Sequence, residues 1–126
     1  MLDMTLTTLP AVFDDMPEAE AATLLEARDL IYAEAARLGV GPLEETLKWG
    51  QPSVVPPKKS GTTIRLGLLG GKAALFVHCQ TTIIDQAREL FGGVAEFSGN
   101  RALVLGGDPR ATTHVICAAL TYYQKR

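Results

Sequence analysis

The period of the hydrophobic pattern changes after Gly39 and Pro42, and this change constrains the fold more than any other feature of the chain. Before it, apolar residues recur every three or four positions, which is typical of an amphipathic helix. After it, apolar and polar residues alternate in short runs, which is typical of strands with one buried face. Runs of strands between helices predict an α+β fold, in which helices pack on an antiparallel or mixed sheet.

The first helix is predicted from about Pro17 to Leu38. Asp15 is placed to cap it, Glu18 three residues later completes an acidic capping box, and Gly39 ends it. Residues 1–16 are expected to be irregular or to form a short helical segment. The buried stripe of this helix is predicted to contain Ala21, Leu24, Leu25, the stem of Arg28, Ile31, Ala35 and Leu38.

Alternation and turn residues predict the sheet. Gly70-Gly71 is a strong hairpin signal because glycine adopts positive φ at low cost. Ser53 to Ser60 contains Pro56-Pro57-Lys58-Lys59 and is expected to be a loop or a ragged edge, since prolines remove ladder donors. The predicted strands are Thr46 to Trp49, Thr62 to Leu69, Lys72 to Gln80 in a central position, and a hairpin of Val94 to Phe97 with Arg101 to Leu105.

Two shorter helices complete the prediction. Thr81 or Thr82 is placed to cap the second, which carries Ile83, Ile84, Ala87, Leu90 and Phe91 as its stripe and ends at Gly92-Gly93. Asp108-Pro109 opens the third, whose inner residues are Val115, Ile116, Ala119, Leu120 and Tyr123, with Lys125 and Arg126 at its end. The whole chain is predicted to be a compact α/β sandwich of about five to six strands, in the order α-β-β-β-α-β-β-α.

The composition is that of one soluble domain. Of the 126 residues, 47% are apolar and 21% are charged, with a net charge of −2, so we expect residues 1–126 to form a single unit. That net charge argues against a nucleic-acid partner, because neutralising phosphates needs a basic surface. The N-terminus lacks a secretory signal, no apolar run is long enough for a bilayer, and two cysteines suit a reducing compartment. A cytoplasmic location without membrane association is therefore expected.

The small net charge conceals an uneven distribution. Residues 1–45 contain ten acidic and two basic residues, whereas residues 46–126 contain four acidic and ten basic ones. Carboxylates suit hard or borderline cations, so an acidic ridge on the first helix is a candidate metal site. The alternative is a solvated face whose first-turn acids offset the helix dipole. The acids concerned are Asp14, Asp15, Glu18, Glu20, Glu26, Asp29 and Glu34.

Cysteine and histidine offer two weaker candidates. His78 and Cys79 resemble a base and a nucleophile, but neighbours on a strand point to opposite faces and cannot pair. His114 and Cys117 lie three apart on the last helix and could form a soft-metal site with His78 or Cys79, but core packing of Cys117 and a polar role for His114 are the favoured interpretation. The local motifs of common enzyme classes are missing, so an enzyme that uses Cys79 is only a remote alternative.

Polar and aromatic residues near the ends of predicted strands form the third candidate. Ligands often bind where a sheet meets its loops. The alternative places Trp49 in the core, Asn100 in a turn, and Arg65 and Arg101 on a solvated sheet face. The candidate ligand-binding residues are Lys48, Trp49, Gln51, Arg65, Gln80, Thr81, Asn100 and Arg101.

Four blocks of the sequence carry a resemblance to a known family. They are Leu47 to Ser53 (LKWGQPS), Gly61 to Leu66, His78 to Thr81, and Gly99 to Ala102. Together they resemble the YdhG-like family of small bacterial domains of unknown function, over roughly residues 20–125. Val54 departs from the pattern, which has an aromatic residue there.

The resemblance implies a sandwich similar to frataxin, with helices on one side of an antiparallel sheet. One member of the wider family is described as a frataxin-like iron chaperone. Carried over to this chain, such iron binding falls on Asp14, Asp15 and Glu18, with Glu45 as an extension. Iron is thus the only cofactor suggested, with delivery to a protein partner.

We therefore expect a non-enzymatic cytosolic binding protein, with weak iron binding as its first candidate function. The alternative is a module that binds a small ligand or a protein around Trp49, Gln51, Arg65 and Arg101. A homodimer is compatible with either function, because the sequence predicts an exposed edge strand.

Overall fold

The computed structural model describes residues 16–48, 51–57, 59–78 and 81–124. Nine elements follow one another in this part of the chain, and they confirm the α+β class. In chain order they are α1 (Glu18–Leu38), β1 (Glu44–Lys48), β2 (Gln51–Val55), β3 (Ile64–Leu69), β4 (Lys72–Phe76), α2 (Ile83–Phe91), β5 (Glu96–Ser98), β6 (Ala102–Val104) and α3 (Pro109–Leu120).

The strands form one six-stranded sheet in the order β1-β2-β3-β4-β6-β5, and each neighbouring pair is antiparallel. β4 is central, as predicted. The pairing registers align one residue of each strand in a row across the sheet. That row consists of Thr46, Ser53, Arg65, Phe76, Ala102 and Ser98. Because successive residues of a strand alternate between faces, the residues of this row share one face with the residues two and four positions away on each strand. We call this the far face.

The helices pack on the opposite face, which we call the helix face. The residues that form this core are fully buried or nearly so, and each contributes roughly 1.5–3 kcal/mol by leaving water. They include Leu24 and Ile31 of α1, Ile64, Leu66, Leu75 and Leu103 of the sheet, Ile84 of α2, and Ile116 and Leu120 of α3. A smaller cluster of Ala74, Phe76 and Ala102, with Leu69 against it, lies on the far face. No helix in the described part of the chain is long and apolar enough to cross a membrane.

β2 corrects the first part of the prediction that Ser53 to Ser60 is a loop or a ragged edge, because Ser53 to Val55 belong to a strand. The register of β2 with β3 covers only Ser53 and Val54, so Pro52 has no ladder partner on β3 and its missing N–H is tolerated. The strand then ends at Val55, directly before Pro56. Pro56 thus follows the end of a short strand that contains Pro52, and the chain has four consecutive strands after α1 where three were predicted.

The predicted caps are confirmed at one helix of three. Asp108 caps α3, and its side chain accepts a hydrogen bond from the Arg110 N–H. At α1 the N-cap is Pro17, which makes no side-chain cap, so the capping box predicted for Glu18 is wrong; Asp15 lies outside the described residues. Thr82 is the N-cap of α2 but likewise makes no side-chain cap hydrogen bond.

Tyr123 was expected inside the third helix, but its side chain is 47% exposed. The reason is that α3 ends at Leu120 and the following turn runs back to the β2–β3 connection. There the Tyr123 N–H donates to the Ser60 carbonyl at 3.0 Å. The predicted positions of Lys125 and Arg126 lie outside the described residues.

Candidate functional site

Three of the candidate ligand-binding residues occupy neighbouring positions on the sheet. Lys48 lies opposite Gln51 in the β1–β2 register, and Ser53 lies opposite Arg65 in the β2–β3 register. Because Gln51 is two residues from Ser53, the positions of Lys48, Gln51 and Arg65 share the far face. Trp49 and Gln80 lie outside the described residues.

Arg65 is held against an aromatic ring. Its guanidinium carbon lies 6.0 Å from the centroid of the Phe76 ring, and Phe76 is its cross-strand neighbour on β4. The contact has the geometry of a cation–π interaction at its outer limit. Phe76 is only 7% exposed, so the ring supports Arg65 from within the sheet surface.

Asn100 and Arg101 are placed differently from Arg65. Both are exposed residues of the connection between β5 and β6. The Arg101 carbonyl accepts a hydrogen bond from the Val77 N–H at 2.8 Å, and Val77 belongs to the core on the helix face. Arg101 directly precedes Ala102, which lies in the same row across the sheet as Arg65. Because successive positions of a strand alternate between faces, the position of Arg101 does not share the face of Arg65. A common ligand for Arg65 and Arg101 stays a prediction.

The candidate iron-binding acids are dispersed in the described part of the chain. Glu18 is exposed in the first turn of α1, and Asp14 and Asp15 lie outside the described residues. Glu20 accepts a hydrogen bond from the Ala73 N–H at 2.6 Å, which ties the start of α1 to β4. Among the described residues, no three His, Cys, Asp or Glu side chains are grouped to hold a metal ion. Iron binding stays a prediction.

Glu45 is committed to a buried ion pair. Its two carboxylate oxygens accept hydrogen bonds from Nε and Nη2 of Arg28 at 2.6 and 2.7 Å. The two side chains are 2% and 10% exposed, and the Arg28 guanidinium also lies 5.4 Å from the Tyr32 ring centroid. The hydrogen bond with Glu45 raises the pKa of Arg28. The extension of an iron site to Glu45 would therefore have to displace a bidentate arginine.

Cys117 and His114 have different partners. The Cys117 thiol donates to Oε1 of Glu34 at 3.1 Å, and Nε of Arg37 donates to the same oxygen at 2.8 Å. Burial raises the pKa of Cys117 and the bond to Glu34 raises it further, whereas the bond from Arg37 lowers the pKa of Glu34. The His114 ring instead packs against Phe91, with ring centroids 5.6 Å apart. Cys79, the remote catalytic candidate, lies outside the described residues.

A groove between α2 and α3 was missed by the sequence analysis. It has a volume of about 440 Å³ and is lined by Phe91, Pro109, Arg110, Thr113 and His114. We call it the α2–α3 groove. A second hollow of about 490 Å³ is lined by residues 93–96 and 104–107 together with Lys72.

Leu90 directly precedes the groove residue Phe91 in the chain, Val94 lines the second hollow, and both are unusually exposed. Leu90 was predicted to be a core residue, because it lies seven positions after Ile83 and three after Ala87 on the apolar stripe of α2. Its side chain is nevertheless 63% exposed, and that of Val94 is 52% exposed. The stripe of α2 thus continues past the core. The only feature of the sequence that points to this exposure is that the apolar stripe extends to the end of the helix, directly before Gly92-Gly93.

Comparisons with protein-family models, with curated proteins and with solved structures gave no match for this chain. The fold defines the class of the protein, which is an α+β domain with helices packed on a six-stranded antiparallel sheet.

Proposed function

We propose that this domain is a non-catalytic binding protein, and that the α2–α3 groove with Leu90 and Val94 docks a segment of a partner protein. The observation that carries the proposal is the 63% exposure of Leu90 on a helical stripe whose earlier members, Ile83, Ile84 and Ala87, are core residues. Exposed apolar surface that is contiguous and rimmed by polar residues is typical of protein-binding sites, and we infer that Leu90 and Val94 extend the apolar lining of the groove in this way.

The lining of the groove favours a particular kind of segment. Phe91 and Pro109 supply apolar surface, whereas Arg110, Thr113 and His114 supply groups that can donate hydrogen bonds. Asp108 fixes Arg110 through Nε and Nη2, with the shortest distance at 2.7 Å, and a guanidinium has further N–H groups on Nη1. The best fit is a segment with an apolar side chain followed by an aspartate or glutamate.

The chemistry of Cys117 argues against its use as a catalytic nucleophile. A nucleophilic cysteine needs a lowered pKa and an electropositive setting. The thiol of Cys117 instead donates to the Glu34 carboxylate, and both burial and that carboxylate raise its pKa.

Selection from a library of random linear peptides on the immobilised domain tests the proposal. We expect enriched peptides to combine apolar and acidic residues, and Leu90→Asp to weaken their binding about tenfold or more, as for a central interface residue. Tyr123→Asp is the matched control, because Tyr123 is also a large exposed apolar residue but lies after α3. Failure to enrich any peptide, or an equal loss with both variants, would refute the groove as the docking surface.

The YdhG-like resemblance and the frataxin-like arrangement it implies belong to the same proposal. Their support is the combination of sequence blocks, together with a sheet that is antiparallel throughout and carries its helices on one face. A crystal structure of this chain superposed on frataxin tests the arrangement, and a different strand order would contradict it.

A further inference from the structure

The two edge strands of the sheet differ in how much they offer to a partner. Edge strands present backbone N–H and C=O groups that can pair with another chain. β5 has three residues, and Arg88 lies beside it, with its guanidinium 5.5 Å from the Phe97 ring centroid and a hydrogen bond to the Gly99 carbonyl. β1 has five residues, and no described strand pairs with its outer side. β1 is therefore the better edge for strand addition.

The residues of β1 are complementary to a second copy of the same strand. β1 reads Glu44-Glu45-Thr46-Leu47-Lys48. If two copies run antiparallel with Thr46 at the centre, Glu44 of each lies opposite Lys48 of the other, which gives two cross-strand pairs of opposite charge. Such pairs, and Thr opposite Thr, stabilise antiparallel strands. The same operation on β5 places Glu96 opposite Ser98 and gives no ion pair.

Glu45 does not obstruct this pairing. A charged residue directed toward the core side of an edge strand often prevents strand addition. Here the Glu45 carboxylate is 2% exposed and is satisfied by two hydrogen bonds from Arg28 of its own chain. The charge that would otherwise disfavour strand addition at this edge is therefore neutralised by Arg28 of the same chain.

We propose that two copies of this chain associate through their β1 strands, antiparallel about a two-fold axis at Thr46, so that their sheets join. Each copy contributes the same strand, as a two-fold interface requires. The interface uses the β1 edge and not the α2–α3 groove, so the two proposals stand or fall separately.

Charge reversal with rescue tests the register. Sedimentation of the full chain is expected to show a reversible dimer that weakens as salt is raised. Glu44→Lys alone and Lys48→Glu alone turn both attractions into repulsions, and each is expected to weaken the dimer about tenfold or more. An equimolar mixture of the two variants is expected to form a heterodimer, and E44K/K48E to dimerise like the unmodified chain.

The rescue can act only between copies. Residues 44 and 48 are separated by roughly 13 Å along an extended strand, too far for a direct ion pair within one chain. Glu96→Lys on the other edge strand is the matched control and should leave the dimer unchanged, with folding of each variant checked by circular dichroism. A monomeric unmodified chain, single reversals without effect, or no association in the mixture would overturn the proposal. Leu90→Asp should not affect the dimer.

Discussion

Gly61 is the residue at which the β2–β3 connection comes closest to the end of α3. A Cβ at this position would lie 2.1 Å from the Ala119 carbonyl oxygen and 2.4 Å from that of Leu120. The approach is fixed by hydrogen bonds, since the Thr62 N–H donates to Ala119 at 2.8 Å and the Ser60 hydroxyl donates to Leu120 at 2.7 Å. We expect Gly61→Ala to lower the free energy of unfolding by about 2–3 kcal/mol, because backbone must move to admit the methyl group.

Urea denaturation measures this change, and Gly93→Ala is its control. A Cβ at Gly93 meets no atom within 4 Å, and its φ is not positive. That substitution should alter stability by less than about 1 kcal/mol in either direction. Equal losses at the two glycines would show that the contact with α3 is not the cause.

Cys117 gives a second prediction, through the pKa of its thiol. Because burial and Glu34 raise that pKa whereas Arg37 lowers it, the variants Glu34→Gln and Arg37→Ala should act in opposite directions. In a Cys79→Ser background, Glu34→Gln should speed alkylation by iodoacetamide and shift its pH profile to lower pH. Arg37→Ala should slow it. Shifts in the same direction would contradict the assignment of these contacts.

The ion pair between Arg28 and Glu45 joins α1 to β1 and is the main polar contact between a helix and the sheet edge. Removing the guanidinium with Arg28→Met leaves a buried carboxylate, which should cost about 3–5 kcal/mol at neutral pH. Arg28→Met with Glu45→Leu should recover most of the loss, because the uncompensated charge is gone. Thermal and urea unfolding measure both variants.

The pair of Arg37 with Glu34 is a suitable comparison, because both residues lie on α1 and Arg37 is exposed. Arg37→Met should lower the free energy of unfolding far less than Arg28→Met does, because exposed ion pairs contribute little to stability. A loss as large as that of Arg28→Met would mean that burial does not explain the difference.

Elements with a strong local signal could be predicted from the sequence, whereas those that depend on their neighbours could not. The stripe of α1 and the Gly70-Gly71 hairpin follow from periodicity and from φ values of 57° and 85°, which glycine accepts readily. β2 was missed because its strand character comes from pairing on both sides, while its prolines indicate a break. The cap predicted for α1 is wrong because the N-cap position is Pro17, whose side chain has no hydrogen-bond acceptor.

The candidate site shows the same difference between features that local sequence indicates and features that depend on neighbouring elements. Alternation along strands correctly indicates which positions share a face, and the registers bring Lys48, Gln51 and Arg65 to one face of the sheet. The exposure of Leu90 could not be predicted, because a stripe at helical spacing does not show where the core beneath it ends. It depends on how far α3 and the sheet extend under α2.

The uneven charge of the chain is distributed over contacts that hold the whole molecule together. Residues 1–45 contain ten acidic residues, and three of them accept hydrogen bonds from different partners in the structure. Glu20 accepts from the backbone N–H of Ala73, Glu34 from Arg37 and from the Cys117 thiol, and Glu45 from the buried Arg28. The acidic half is thus partly an internal set of acceptors.

Acid unfolding tests the contribution of paired carboxylates in both halves of the chain through Glu34 and Asp108, whose pKa values are lowered by Arg37 and by Arg110 respectively. A carboxylate with a lower pKa in the folded state stabilises the fold above its unfolded pKa, and the contribution is lost as pH falls through the folded value. The urea midpoint should therefore decline below about pH 4.5. Because asparagine caps a helix as well as aspartate does, Asp108→Asn with Glu34→Gln should keep the fold and make that decline shallower. An unchanged slope would show that other carboxylates govern acid stability.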